Sequence, residues 1–376
     1  MTLRVLHVIG GLELGGAETL LYRLATRTSS SFEHEVICLG RRDWYSARLE
    51  EEGVPVWHLG MTSPISSVTA ARGLARLIRQ RRPDVIQSWM YFANVLSSVF
   101  SRGTPVVWGI HGSTLEHLGA PSHFLARAGG LGSRWLSDFV INCSERSARI
   151  HGKLGYDRVP NQVVPNGYDP EAFRIDDESR TATRRALGIQ PHEFVAGSIS
   201  RWHSEKDIPN LLRGLALAAG QGVQFRCLLI GRGLDHENED LAQLIRRNGC
   251  EREVELLGLR SDVGELARAL DLHLSSSSAE AFPNVVAETM LSGTPNVVTD
   301  VGDSAFIVGK TGWVVPAQDP ERMAEGISGA YREWSQCNDR WQQRRVEARR
   351  RIVERFTFDR MIHAYEEVWK LVIATR

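Results

Sequence analysis

Nearly continuous apolar runs of strand length alternate with helix-patterned segments along this chain, and after a polar interruption the alternation begins again. The first series of runs falls at 4–9, 35–39, 54–58, 84–88, 106–110, 139–142 and 161–164, with helical patterns at 17–28, 68–81 and 144–153 among them. The second series runs through 195–200, 225–230, 254–257 and 270–274, interleaved with helical patterns at 208–219, 238–247 and 262–269. Strands buried on both faces lose the polar alternation, and parallel neighbours need a crossover long enough to hold a helix. The pattern predicts an α/β chain of two domains, each a doubly wound, Rossmann-like parallel sheet with helices on both faces. Asn166-Gly167 and Asp169-Pro170 are turn signals that open a charged stretch ending near Arg184. The boundary is placed there, giving domains at 1–175 and 176–359. A last apolar-faced helix at about 360–376 is expected to pack back on the first domain, and a ligand is expected in the cleft between the two.

The 376 residues are enough for two cores of this kind. Hydrophobic residues at 42%, charged residues at 24% and balanced charges exclude a disordered chain. No stretch approaches the ~18 uninterrupted apolar residues of a membrane span. The apolar start lacks the basic flank and cleavage site of a signal peptide, so it reads as the first buried strand. Cys38, Cys143, Cys227, Cys250 and Cys337 form no Cys-x-x-Cys pair, which suits a reducing cytoplasm and argues against a zinc knuckle. The run from Arg344-Arg345 to Arg349-Arg350-Arg351 is read as a solvated helix face. Without interleaved aromatics or a global positive charge, a nucleic-acid partner is not expected.

Chemistry concentrates in four places. Glu280 sits in a loop after the run at 270–274, and Glu288 lies eight positions on, in a helix expected to start near Phe282 or Pro283. The unpaired N–H groups of that helix start favour an anion, phosphate above all, and Gly293 is placed to end the helix before the next strand. A carboxylate beside bound phosphate can hold sugar hydroxyls and one deeper in the helix a ribose, which points to a nucleotide-sugar site. Arg201 and Lys206, just past the strand at 195–200, are two cations able to hold a diphosphate as charge builds on it. No Asp-x-Asp cluster offers credible metal geometry, so neither a metal nor another cofactor is expected. The glycine-rich loop Gly10-Gly11 through Gly15-Gly16 lets the backbone approach a ligand, although it is not the dinucleotide fingerprint. His111, between Ile110 and Gly112 at a strand end, is placed to meet a sugar hydroxyl or exchange a proton.

Together these residues resemble the family-4 group of retaining glycosyltransferases, which have the two-domain GT-B fold. The likeness rests on motifs in order along the whole chain: Gly15-Gly16-Ala17-Glu18, the linker Pro165-Asn166-Gly167-Tyr168-Asp169 with Phe173, Arg201 with Lys206 as an Arg-x4-Lys clamp, Glu280 to Glu288 as E-x7-E, and Gly293-Thr294-Pro295. The resemblance implies that Arg201 and Lys206 bind the leaving diphosphate, that Glu280 holds the transferred sugar and that Glu288 binds the ribose. It further implies that the amides of Phe282, Asn284 and Val285 line sugar and phosphate, that Leu259 and Arg260 border the base, that Gly15 and Gly16 meet phosphate, and that His111 lies close to the sugar. Ala281-Phe282-Pro283-Asn284 departs from the family's Gly-Phe-Gly or Gly-Phe-Pro, and Ser200 stands where glycine is common before the clamp.

The implied activity is transfer of a sugar from a nucleoside diphosphate sugar, a UDP-sugar before a GDP-sugar, with retention at the anomeric carbon. The implied acceptor is a glycan or lipid-linked sugar in bacterial surface-polysaccharide synthesis. A sugar-nucleotide epimerase and an inactive sugar-binding subunit are the alternatives on the same fold. The segment 117–136, with Phe124, Leu125, Leu131, Trp135 and Leu136 beside Arg127 and Arg134, is expected to serve as an acceptor loop or core packing, with contact to lipid headgroups as the alternative. The expected location is cytoplasmic, extending to the inner face of the membrane if that contact is made.

Overall fold

The computed structural model describes residues 2–13, 15–62, 64–112, 119–280 and 282–375. Two compact units account for the packing, one running to Gly167 and rejoined from Asp359 onward, the other Tyr168–Phe358. In the first, β1 (Leu3–Ile9), β2 (Phe32–Cys38), β3 (Val56–His58), β4 (Val85–Trp89), β5 (Val106–Ile110), β6 (Phe139–Asn142) and β7 (Asn161–Val163) pair in parallel in the order β3-β2-β1-β4-β5-β6-β7. Helices α1 (Gly16–Arg27), α2 (Trp44–Glu51), α3 (Pro64–Arg81), α4 (Met90–Phe100), α5 (Ala120–Leu136) and α6 (Glu145–Gly152) make the crossovers. The strands carry no polar alternation because both faces are covered: Leu6, Val8, Ile37, Ile86, Trp108 and Val140 are all buried in one core.

The second unit repeats the plan. Strands β8 (Val195–Ile199), β9 (Arg226–Ile230), β10 (Val254–Gly258), β11 (Leu272–Ser275), β12 (Asn296–Thr299) and β13 (Trp313–Val315) lie in the order β10-β9-β8-β11-β12-β13, again all parallel. Their helices are α7 (Asp177–Ala186), α8 (Ile208–Gly220), α9 (Glu239–Asn248), α10 (Val263–Ala269), α11 (Asn284–Leu291), α12 (Ser304–Val308), α13 (Pro320–Gln336) and α14 (Asn338–Arg355). In each sheet the chain leaves the middle in one direction and later returns to build the other side. The reversal opens a crevice beyond the carboxyl ends of β1 and β4, and likewise beyond β8 and β11.

The final helix, α15 (Phe358–Ala374), packs on the first unit. Trp369 Nε1 donates to Gln87 Oε1 at 3.1 Å, and the Glu366 carboxylate accepts from the Ser29 N–H at 2.9 Å. Beneath it runs a buried chain of polar rings. Trp89 Nε1, which can only donate, points at His7 Nδ1. His7 must then carry its proton on Nε2 and donates to His34 Nδ1 at 2.8 Å, and His34 Nε2 donates to Thr28 Oγ1 at 2.6 Å. Burial lowers the pKa of both imidazoles, that of His34 to about 4.

The packing divides the chain between Gly167 and Tyr168, among the turn signals and ahead of the 175 given as the end of the first domain. Tyr168 belongs to the second unit: its N–H donates to Phe356 O and its carbonyl accepts from the Phe358 N–H. Its buried ring shares a core with Phe282, Val286 and Met290, against which Phe173 also packs. Except for the exposed Arg350, the arginine run of α14 is not a solvated face. Arg344 forks onto Glu333 at 2.6 and 2.7 Å and lies over the Trp313 ring. Arg345 donates to Gly293 O, Arg349 to Leu291 O and Phe173 O, and Arg351 to Ile307 O and Phe306 O. Apart from Phe173 O, which lies in the linker before α7, these carbonyls lie at the ends of α11 and α12, where a helix has no intrahelical donors left, so the guanidinium groups satisfy them and oppose the negative end of the dipole.

Candidate functional site

The predicted donor residues of the second unit gather at the carboxyl ends of its strands. Arg201 follows β8, Leu259 and Arg260 follow β10, and Glu280 follows β11, so Arg201 and Glu280 flank the point where strand order reverses. The loop after β8 lies hard against the end of β9. A side chain at Gly231 would place its Cβ 1.8 Å from Ser200 O, and φ there is +138°, so only glycine fits. Trp202 N–H donates to Arg232 O at 2.8 Å, pinning the loop, while the Arg201 side chain is exposed.

A turn of 3₁₀ helix at Ser204–Lys206 brings Lys206 round to the glutamate loop. It ends at Asp207, a non-glycine residue with φ +45° whose carboxylate accepts from the Asn210 N–H and caps α8. Lys206 Nζ donates to Glu280 Oε1 at 2.5 Å, with the two side chains 21% and 13% exposed. The same carboxylate oxygen accepts from Ser277 Oγ at 2.8 Å. Ser276 Oγ donates to the Lys206 carbonyl, the Ser278 N–H donates to the Glu205 carbonyl, and Thr299 Oγ1 at the end of β12 donates to Ser277 O at 2.6 Å. The serine run after β11 therefore stitches clamp, glutamate loop and β12 into one assembly. Sequence reading missed these serines because a Ser-rich stretch looks like any loop; their place two to four residues before Glu280 was the available signal.

Helix α11 begins at Asn284, with Pro283 as the residue before its first turn and no side chain capping its N–H groups. The start lies one residue beyond Pro283 because that proline adopts extended ψ, 101°. Asn284 accepts at its Oδ1 from the hydroxyl of the buried Tyr168 at 2.7 Å. Phe282 is buried in the core, so what it offers a ligand is its backbone. Val285 and Glu288 are half-buried within the first turns of α11, and Gly293, at φ +75°, ends the segment as expected. Ala281, where the sequence departs from its resemblance, lies outside the described residues. Leu259 stands exposed beyond Gly258, and Arg260 is held by Asp262 through bonds of 2.8 and 2.6 Å.

The remaining predicted residues, Gly15, Gly16 and His111, belong to the first unit. Gly15 precedes α1 with no side-chain cap, and Glu18 of the first turn folds back so that its carboxylate lies beside Gly15. Burial raises the Glu18 carboxyl above its usual range despite a bond to its own N–H, and neighbouring Glu13 adds to the rise. The carboxylate thus occupies an anion-favouring helix start. His111 leaves β5 with its N–H on Met90 Sδ and its ring 5.0 Å from that of Trp89. Its Nε2 is buried and has no partner among the described residues, and burial lowers its pKa to about 3. It is neutral at physiological pH and offers a hydrogen bond, not a charge. Among the described residues no three His, Cys, Asp or Glu side chains group as a metal would need, and no helix is long and apolar enough to cross a membrane.

Comparison with known proteins bears on family and fold. Residues 193–333 match the family described as glycosyl transferases group 1, and residues 14–172 match glycosyltransferase family 4. The chain is 26% identical over 328 residues to EpsF of Bacillus subtilis, provisionally named a glycosyltransferase, in a match covering 79% of each. It is 21% identical over 258 residues to the UDP-Gal:alpha-D-GlcNAc-diphosphoundecaprenol alpha-1,3-galactosyltransferase of Escherichia coli, spanning 65% of each chain. The structure of HepE from Anabaena in complex with UDP superposes with a TM-score of 0.85 at 22% identity, covering 98% of this chain and all of that one; its UDP-glucose complex gives 0.81.

Proposed function

The chain belongs to the family-4 type of glycosyltransferases and has their GT-B fold, and from that premise we propose that it moves a sugar from a UDP-sugar to a glycan or lipid-linked acceptor, with retention at the anomeric carbon and without a metal ion. The observation that carries the reading is the Lys206–Glu280 pair beside Arg201 and the uncapped start of α11, all at the switch point of one sheet. Arg201, Lys206 and the α11 amides neutralise the charge that grows on the β-phosphate as the donor bond breaks, the task a divalent cation performs elsewhere. Glu280 binds hydroxyls of the sugar, Glu288 the ribose, and Leu259 with Arg260 borders the base. In the first unit Gly15 and Gly16 approach phosphate and neutral His111 hydrogen-bonds the sugar.

In the proposed reaction the bond from the anomeric carbon to the phosphate oxygen breaks, and the acceptor oxygen bonds to that carbon from the same face. The acceptor proton passes to the departing phosphate oxygen. Glu280 is already committed to Lys206 and Ser277, which favours a binding role for it over attack on the sugar. UDP is preferred because HepE was solved with UDP and UDP-glucose. The lipid-linked acceptor draws on the Escherichia coli relative, named for a diphosphoundecaprenol substrate.

The test is a thermal-shift and slow-hydrolysis screen against UDP-, GDP-, ADP- and TDP-sugars in the presence of EDTA. A donor that binds only the folded state raises the melting temperature by mass action. A shift and released nucleotide with a UDP-sugar supports the reading. Turnover that needs added metal overturns its metal-free part, and binding without turnover under any acceptor favours a sugar-binding subunit.

A further inference from the structure

Helix α5 is packed inside out. Its buried side carries Ala126, Gly129, Gly130 and Ser133, all small residues. They allow an approach so close that a Cβ on Gly130 would lie 2.3 Å from Leu154 O, and one on Gly129 would lie 2.8 Å from the Tyr156 hydroxyl. The contact is bonded as well as tight: Ser133 Oγ donates to Gly155 O at 2.8 Å and the Tyr156 hydroxyl donates to Ala126 O at 3.0 Å. Of the five apolar residues that the sequence offered for core packing, only Leu125 and Leu136 pack against the core. Phe124, Leu131 and Trp135 are 70%, 61% and 79% exposed.

Those three side chains fall within about 40° of one another around the helix axis. Arg127 and Arg134, both exposed, lie along one flank of the stripe, and α5 carries no carboxylate. Helix α4, packed beside it, has no charged residue at all, exposes Phe92 and Val99, and is followed by exposed Arg102. An aromatic and aliphatic stripe flanked by arginines is the composition of a helix lying in the headgroup region of a bilayer. A second copy of α5 would offer neither arginine a carboxylate, whereas an anionic headgroup offers both a phosphate.

We propose that the exposed stripe of α5 docks the first unit on an anionic lipid surface, with Phe124, Leu131 and Trp135 entering the headgroup layer and Arg127 and Arg134 binding lipid phosphates. The docking rests on this helix alone. Its purpose, meeting an acceptor carried on lipid, rests on the function proposed above.

Flotation of the purified protein tests the docking, using vesicles of phosphatidylcholine alone and of phosphatidylcholine mixed with phosphatidylglycerol. The wild type is expected to float with the mixed vesicles and stay down with the neutral ones. The variant Phe124→Ser/Leu131→Ser/Trp135→Ser is expected to stay down with both, and Arg127→Glu/Arg134→Glu to lose at least about thirtyfold in partition into the anionic vesicles. Because all five side chains are exposed, the melting temperature and UDP-sugar hydrolysis in solution should be unchanged. That separates failure of docking from failure of the donor site. Should the serine variant melt early, the glutamate variant carries the test. Wild type that stays down with both vesicles, or variants that float as it does, overturns the proposal. So does self-association in sedimentation without lipid that the serine variant abolishes, since the stripe would then be a dimer face.

Discussion

Lys206 and Glu280, 74 residues apart in sequence, hold each other at 2.5 Å across the mouth of the second sheet. The resemblance gives them different work, one on phosphate and one on sugar. Each satisfies the other, so neither half-buried charge stands unpaired and both are held in place for a donor.

Removing either partner should therefore cost more in turnover than in folding. Lys206→Met and Glu280→Gln are each expected to lower kcat by about a hundredfold or more. The stability loss should be about 1–3 kcal/mol, the cost of a buried polar group left without its partner. Because the two act as a unit, the double variant should lose little beyond the worse single one. Additive losses in a double-mutant cycle on kcat would show that they work independently.

Ser277 is a positioning residue, since its hydroxyl holds the oxygen of Glu280 that also faces Lys206. Ser277→Ala should lower kcat about tenfold with little change in KM for the donor, the mark of a contact that matters as the bond breaks. Ser277→Thr, which keeps the hydroxyl, should restore most of the loss. A Ser277→Ala enzyme with normal kcat and raised KM would place the serine in ground-state binding.

Acid should loosen the fold through its buried histidines. Burial lowers the pKa of His34 and His273 to about 4 and of His111 to about 3. In the unfolded chain these rings take protons near pH 6.5; in the folded protein they resist until pH 3–4. Stability is therefore full above pH 6.5 and falls as pH drops toward the folded values, by about 1.4 kcal/mol per pH unit for each histidine. Urea unfolding at stepped pH reads the slope, and His34→Gln should reduce it. An unfolding free energy flat between about pH 6.5 and 4.5 would contradict the buried neutral rings.

Arg349→Met removes the donor from Leu291 O at the end of α11. The expected loss is about 1–2 kcal/mol of stability together with weaker donor binding, because Glu288 rides on the released helix. Isothermal titration with UDP and a melting curve read the two effects. Loss of stability with unchanged affinity would show that the arginine serves the fold alone.

The strands and the gathering of Arg201, Lys206 and Glu280 were legible because each obeys a local rule: buried strands are apolar throughout, and these residues follow the carboxyl ends of β8 and β11. Helix α7 was passed over as a charged linker, since ten residues containing only Ala182 and Ala186 as apolar positions carry no apolar stripe. What holds it is Arg180 and Arg184 on Asp271, partners some ninety residues away. The arginines of α14 were misread for the same reason: a basic run looks solvated until the carbonyl ends of α11 and α12 are brought beneath it. The mutual pairing of Lys206 and Glu280 was hidden because the crossovers of the sheet, not the motif spacing, decide which loops share a crevice.

The clamp formed by α14 also sets an order of events during synthesis. Helix α11, with Glu288, leaves the ribosome well before Arg345, Arg349 and Arg351, which secure its last carbonyls and those of α12. Until those arginines emerge, the donor helix has a fixed beginning and a loose end. A chain broken before α14 would therefore carry α11 and α12 with their last carbonyls unmet by these arginines.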